Sequence, residues 1–196
     1  MVEEELLWEK VASETGPELP LFQARLDVMR HPSSLRTFTR LVLESVDWVN
    51  VIAMTPDGRS VMVEQYRFGI GGLTIEPPAG LVDPDEDSLA AAKRELLEET
   101  GYGGGRWRDL GSVQPNPAFH NNRCHHWLAE NVDALQPPSP EAGEAIRVHL
   151  MTLADLREAI TAGRLRHTLA LSALSRVYSL WELPYTQDPG EGKEAE

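Results

Sequence analysis

The sequence carries one cysteine, Cys124, in 196 residues. A disulfide framework is excluded, and a reducing compartment fits. Positive charge is scarce: 18 Lys and Arg stand against 31 Asp and Glu, a formal net charge of −13. Non-specific nucleic-acid binding, which needs basic surface, is therefore excluded. An acidic chain can hold a polyanion only through local positive charge, from metal ions, a few arginines or backbone N–H groups. No apolar run approaches the roughly 18–20 residues of a membrane helix, and the N-terminal MVEEELLWEK is acidic, without a signal-peptide pattern. The expectation is a cytoplasmic protein without a membrane or nucleic-acid partner. No repeat and no linker interrupts the chain. Hydrophobic content of 41% and charged content of 25% are ordinary for one globular domain.

Short runs rich in Val, Leu, Ile and aromatics predict strands at Leu21–Met29, Arg36–Leu43, Trp48–Met54 and Ser60–Tyr66, with a shorter one at Leu73–Glu76 stopped by Pro77-Pro78. Pro56-Asp57-Gly58 is a hairpin signal. Asp85–Thr100 predicts a helix: Asp85, Asp87 and Ser88 offer N-cap oxygens, Ala90–Ala92, Leu96 and Leu97 favour helix, and Gly101 suits the position after its end. Strands follow at Trp107–Gln114, Arg123–Glu130 and Ala145–Met151, then helices at about Leu153–Ala162 and Thr168–Leu183. This order indicates a mixed sheet with helices on its faces. Pro184–Glu196 reads as a mobile acidic tail.

On the predicted helix Glu95, Glu98 and Glu99 fall within an arc of about 100°, with Arg94 an i,i+4 neighbour of Glu98. Three carboxylates so close repel one another. They sit either on a solvated charged face or around a divalent cation, for which they supply hard oxygen ligands. Cys124-His125-His126 does not read as a zinc site, because successive strand side chains alternate faces and no second Cys/His pair is near. Gly69, Gly71 and Gly72 lack the Gly-Lys-Ser/Thr of a P-loop. His167, at the start of the last helix, could reach a substrate, although a histidine at a helix start is more often structural.

The stretch Gly80–Tyr102, GLVDPDEDSLAAAKRELLEETGY, resembles the Nudix box. That pattern has Gly, five residues, Glu, seven residues, Arg-Glu, an apolar residue, any residue, Glu-Glu, any residue, Gly and an apolar residue. Gly80, Glu86, Arg94, Glu95, Leu96, Glu98, Glu99, Gly101 and Tyr102 fill every specified position. The resemblance implies an α/β fold, the Nudix α/β/α sandwich with a mixed central sheet and an N-terminal antiparallel strand region. It implies a single domain over residues 1–183, of which about 1–45 form the strand region. It also implies Glu95, Glu98, Glu99 and the Ala79 carbonyl as ligands of Mg²⁺, with Mn²⁺ an alternative, Glu98 and Glu99 being catalytic through that metal. Glu86 and Arg94 would hold the loop to the helix.

Gln65-Tyr66-Arg67 and Glu76-Pro77-Pro78-Ala79-Gly80 resemble the ADP-ribose and nucleoside-diphosphate-sugar pyrophosphatase branch of that family, as does Pro117 at its distance from Gly101. The resemblance implies hydrolysis of a nucleoside diphosphate sugar to a nucleoside monophosphate and a sugar phosphate. It implies Arg67 and Glu76 beside the substrate, and a catalytic glutamate from a mobile loop, Glu141 or Glu144. It further implies a homodimer formed through the N-terminal strands. One departure stands out. The branch commonly places an acidic residue shortly after the proline, whereas this chain reads Asn116-Pro117-Ala118-Phe119-His120-Asn121-Asn122. Phe119 would stack on a base or sugar and Asn121 and Asn122 would hydrogen-bond it, or the segment is an ordinary Asx turn. Two other functions fit the family, a catalytically silent nucleotide-binding module and a nucleoside triphosphate pyrophosphatase.

Overall fold

The computed structural model describes residues 4–181. The expected acidic tail at 184–196 and the end of the last predicted helix lie outside the described residues.

A central sheet carries the fold. Its strands are β4 (Trp48–Met54), β5 (Ser60–Arg67), β6 (Gly72–Glu76), β7 (Ala79–Leu81), β9 (Arg106–Val113), β10 (Cys124–Glu130) and β12 (Ile146–Met151). The main order is β12-β5-β4-β10-β9, with β6 paired to β5 and β7 to β4. β4 and β10 run parallel, Trp48 opposite Cys124, and the other pairings are antiparallel. The sheet is mixed, as expected. Alternation along each strand sorts apolar side chains onto two faces. Val49, Val51, Ala53 and Val61 pack on Ala91, Ala92 and Leu96 of α1 (Ser88–Thr100). Ile52, Met62, Ile75 and Leu128 pack on α2 (Leu153–Thr161) and α3 (Thr168–Ser175) through Leu156, Ala159, Ala170 and Leu174. The result is an α/β/α sandwich. A two-stranded ribbon pairs β8 (Tyr102–Gly103) with β11 (Asp133–Ala134).

The N-terminal part is a separate three-stranded antiparallel sheet of β1 (Glu9–Glu18), β2 (Gln23–Arg30) and β3 (Thr37–Glu44). β1 has no counterpart in the sequence reading. Almost every residue in it is exposed, so no apolar alternation marks it, and its ladder to β2 defines it instead. Leu43 ties this sheet to the segment after Pro117, donating its N–H to the Phe119 carbonyl at 2.7 Å.

Helix ends differ from expectation for local reasons. Asp85 has φ 67°, a left-handed conformation closed to a helix. Asp87 is the N-cap, and its carboxylate accepts from the N–H groups of Leu89 and Ala90. Gly101 ends α1 at φ 75°, where an added Cβ would lie 2.0 Å from the Gln136 carbonyl oxygen. α3 stops at Ser175, not Leu183. The N–H groups of Arg176 and Val177 turn back to the carbonyls of Ala173 and Leu174, tightening the last turn. Among the described residues no helix is long and apolar enough to cross a membrane.

Candidate active site

α1 lies against β7, and this contact builds the site. Glu99 reaches under the Ala79–Gly80 backbone, where its Oε2 accepts the Ala79 N–H at 3.0 Å. It is only 1% exposed, and its other oxygen, Oε1, is buried without a hydrogen-bond partner. Glu95 lies over Gly80: a Cβ there would come within 1.9 Å of its Oε1, so only glycine leaves the carboxylate its place. A wholly solvated charged face does not describe this helix, because Glu99 is inside.

Arg94 organises the neighbouring carboxylates. Its guanidinium donates to Glu86 Oε2 at 2.9 Å, to Glu95 Oε1 at 2.8 Å and to Glu98 Oε2 at 3.3 Å. It also reaches the Leu81 carbonyl at 3.0 Å, tying the loop to the helix. Burial pushes the Glu95 carboxyl up to about 7 despite Arg94, with Glu98 and Glu144 adding repulsion. Burial likewise pushes Glu99 up to about 8, against the Ala79 hydrogen bond and with repulsion from Glu95 and Glu144. Of the two loop glutamates, Glu144 is therefore the one whose charge reaches the cluster. Both are exposed, and the Glu141 N–H donates to Glu144 Oε2 at 3.1 Å.

Arg67, at the end of β5, lies near enough for its charge to act on Glu99. It makes a fork to Glu76, Nε to Oε1 at 3.0 Å and Nη2 to Oε2 at 2.7 Å. His167 Nδ1 lies 2.9 Å from the same Glu76 Oε2. Glu76 is 1% exposed. Burial works against its charge, but hydrogen bonds from His167 and Arg67 outweigh that and hold it down at about 2. Both oxygens of Glu76 are thus engaged by protein, and the residue fixes Arg67. No local sequence pattern marks the pair of Glu76 and His167, which stand 91 positions apart. The segment before α3 brings them together, its Arg164 carbonyl accepting the Ile75 N–H of β6 at 2.8 Å.

The segment after Pro117 lies along the N-terminal sheet. Asn121 Oδ1 accepts from the Ser45 N–H at 3.2 Å, and Asn122 Nδ2 donates to the Val46 carbonyl at 3.0 Å. Both amides anchor the loop. Phe119 remains 38% exposed, its edge against His120 with ring centroids 4.8 Å apart. Cys124 and His126 share a buried face, with Sγ and Nδ1 3.9 Å apart, while His125 pairs with Asp47 at 2.9 Å. Burial pushes the Cys124 thiol up to about 12 and His126 down to about 4, the state of inert core groups. Among the described residues no three His, Cys, Asp or Glu side chains stand as a finished ligand set for one ion. In the helical cluster Arg94 supplies the positive charge.

A mixed α/β/α sandwich thus carries a partly buried carboxylate cluster on one helix, a glycine turn against it and an arginine clamped by Glu76. The NUDIX domain model matches residues 46–171, well over half the chain. The chain belongs to the Nudix family and is a Nudix hydrolase. It is 29% identical over 175 residues to the ADP-ribose pyrophosphatase of Mycobacterium tuberculosis, covering 88% of this chain and 84% of that one. It is also 29% identical over 140 residues to the ADP-ribose pyrophosphatase of Bacillus subtilis, covering 70% and 68%. A crystal structure of ADP compounds hydrolase superposes with a TM-score of 0.76 at 19% identity, covering 87% of this chain and 91% of that one, a likeness of fold.

Proposed function

We propose that the protein hydrolyses the diphosphate bond of a nucleoside diphosphate sugar, releasing a nucleoside monophosphate and a sugar phosphate. ADP-ribose is the first substrate to test, since the relatives in Mycobacterium tuberculosis and Bacillus subtilis carry that activity in their names. The observation that carries the reading is Glu99, a buried carboxyl with one unpartnered oxygen beside Glu95 and the Ala79–Gly80 turn, within reach of the charge of Arg67.

The residues present fit a hard divalent cation. A buried orphan oxygen and two carboxyls with raised affinity for a proton describe a site that gains from a positive guest. Glu95, Glu98, Glu99 and the Ala79 carbonyl would hold Mg²⁺ or Mn²⁺. When bound, such an ion supplies charge neutralisation and an acidified water. Arg67, held by Glu76, binds the diphosphate oxygens and stabilises charge as it develops. Glu144 takes the proton from the attacking water, and Glu141 holds the Glu144 carboxylate through its N–H. The new P–O bond to water forms as the bridging P–O bond breaks, and the bridging oxygen leaves with one of the two products. Phe119 stacks on the base or sugar, while Asn121 and Asn122 hold its loop. The N-terminal sheet makes a homodimer, its exposed Trp8, Val11 and Leu41 covered by a second copy.

The test is a Mg²⁺-dependent panel of ADP-ribose, ADP-glucose, GDP-mannose, UDP-glucose, NADH and a nucleoside triphosphate, with products identified by phosphorus NMR. Cleavage of one diphosphate to a monophosphate and a sugar phosphate supports the reading. Cleavage of the triphosphate alone would replace it.

A further inference from the structure

A cavity of about 390 Å³ lies between the β5–β6 hairpin and the start of α3, lined by Arg67, Ile70, Thr74, Glu76, Arg166 and His167 among others. Its charge balance is unusual for this chain. The one carboxylate in its wall, Glu76, is matched by Arg67 and His167 through three contacts of 3.0 Å or less. Arg166 adds a second guanidinium and makes no ion pair among the described residues. Its Nη2 lies 3.9 Å from the place a Cβ on Gly72 would take, so it stands over the hairpin. His167 occupies the N-cap position of α3, but its side chain makes no capping bond because it turns to Glu76. The first N–H groups of α3 are left without a side-chain acceptor, and no protein hydrogen bond engages His167 Nε2 among the described residues. Two guanidinium groups, that of Arg166 exposed, an imidazole nitrogen and the open N-terminal end of α3 thus border a cavity whose one carboxylate is already paired.

We propose that this cavity is an anion subsite for a phosphomonoester that the substrate carries in addition to the diphosphate being cleaved, with Arg166 and His167 Nε2 as its contacts. The inference rests on the hydrolase reading, because Arg67 forms a wall of the cavity and also contacts the diphosphate. A tetrahedral phosphomonoester matches these groups better than a planar carboxylate does: its oxygens accept from the Arg166 guanidinium and the helix N–H groups, and its O–H donates to His167 Nε2, whose ring gives the Nδ1 hydrogen to Glu76. The volume takes a phosphorylated sugar rather than a bare ion.

The experiment compares ADP-ribose, ADP-ribose 2′-phosphate and ADP-ribose 1″-phosphate, which place the extra phosphate on either arm. Both kcat/KM with the wild-type enzyme and Kd by calorimetry with the slow Glu99→Gln variant are measured in Mg²⁺. At least one phosphorylated compound is expected to be preferred over ADP-ribose by about tenfold or more. The preference is expected to fall to about twofold or less in Arg166→Gln and in His167→Phe, while exposed Arg106→Gln leaves the ratio unchanged. Equal kcat/KM and Kd for all three compounds, or a preference that survives Arg166→Gln, would overturn the subsite. If no compound is turned over but the Kd preference appears and is lost in the double variant with Arg166→Gln, the subsite stands and the hydrolase reading falls.

Discussion

Replacing Glu99 with Gln is expected to stabilise the protein in the absence of divalent metal, and the gain is expected to grow with pH. Glu99 is 1% exposed, and burial pushes its carboxyl from 4.5 in the open chain to about 8 in the fold. A group whose folded value is raised contributes stability that is full below about 4.5 and lost as pH rises through about 8. At about 1.4 kcal/mol per unit the loss is bounded by about 5 kcal/mol, and relaxation around the charge should bring it to about 2–3 kcal/mol. Glu95, raised to about 7, pulls the same way, so the wild-type curve falls from about pH 4.5 upward, most steeply until about 7 and then more slowly until about 8. The glutamine has no proton to lose, and its oxygen still accepts the Ala79 N–H. Urea unfolding followed by tryptophan fluorescence, in chelator at pH 5 and pH 8, reads the effect. Wild type should lose about 2–3 kcal/mol more than the variant between the two pH values. Parallel pH profiles for the two proteins would refute the burial argument.

Other expectations follow from the same geometry. Adding Mg²⁺ should raise Tm more at pH 8 than at pH 5, and Glu99→Gln should shrink the rise; equal rises would point to binding elsewhere. Glu76→Ala leaves Arg67 and His167 without their shared carboxylate and should cost about 2–4 kcal/mol in chemical unfolding while lowering kcat/KM through a loosened Arg67. The Glu76 contribution, held at about 2 in the fold against 4.5 outside, should be present above pH 4.5 and fade as pH falls toward 2. A Glu76→Ala penalty independent of pH over that range would argue against the pairing. Glu144→Gln should lower kcat by about 10²-fold or more with little change in KM; a fall confined to KM would assign it to binding. Leu96→Ala, in a fully buried position between α1 and the sheet, should cost about 2–5 kcal/mol, measurable by the same urea assay.

Much of the fold was legible because burial writes itself into strands and helices. β4 is apolar on both faces and its bounds, Trp48–Met54, are those its sequence suggests. α1 was equally plain from its alanines and leucines, but its start was not, since the left-handed Asp85 is a backbone choice no periodicity reveals. β1 escaped because an exposed strand has no apolar alternation. In the site, Glu95, Glu98, Glu99 and Arg94 share one helix turn and a half, so their spacing announces them. Arg67 and Glu76 sit on adjacent strands of one hairpin and were visible as motif residues, though not as a clamped pair. His167 joins them only through tertiary packing, and the orphan oxygen of Glu99 depends on how deeply α1 seats against β7.

The most direct test of the central claim, that the α1 carboxylates form the hydrolytic centre, is the Mg²⁺-supported turnover of Glu99→Gln against wild type on the best diphosphate substrate. A fall in kcat of about 10²-fold or more, in a variant that unfolds no more easily than wild type, is the expected result. A folded variant with kcat within twofold of wild type would contradict the claim.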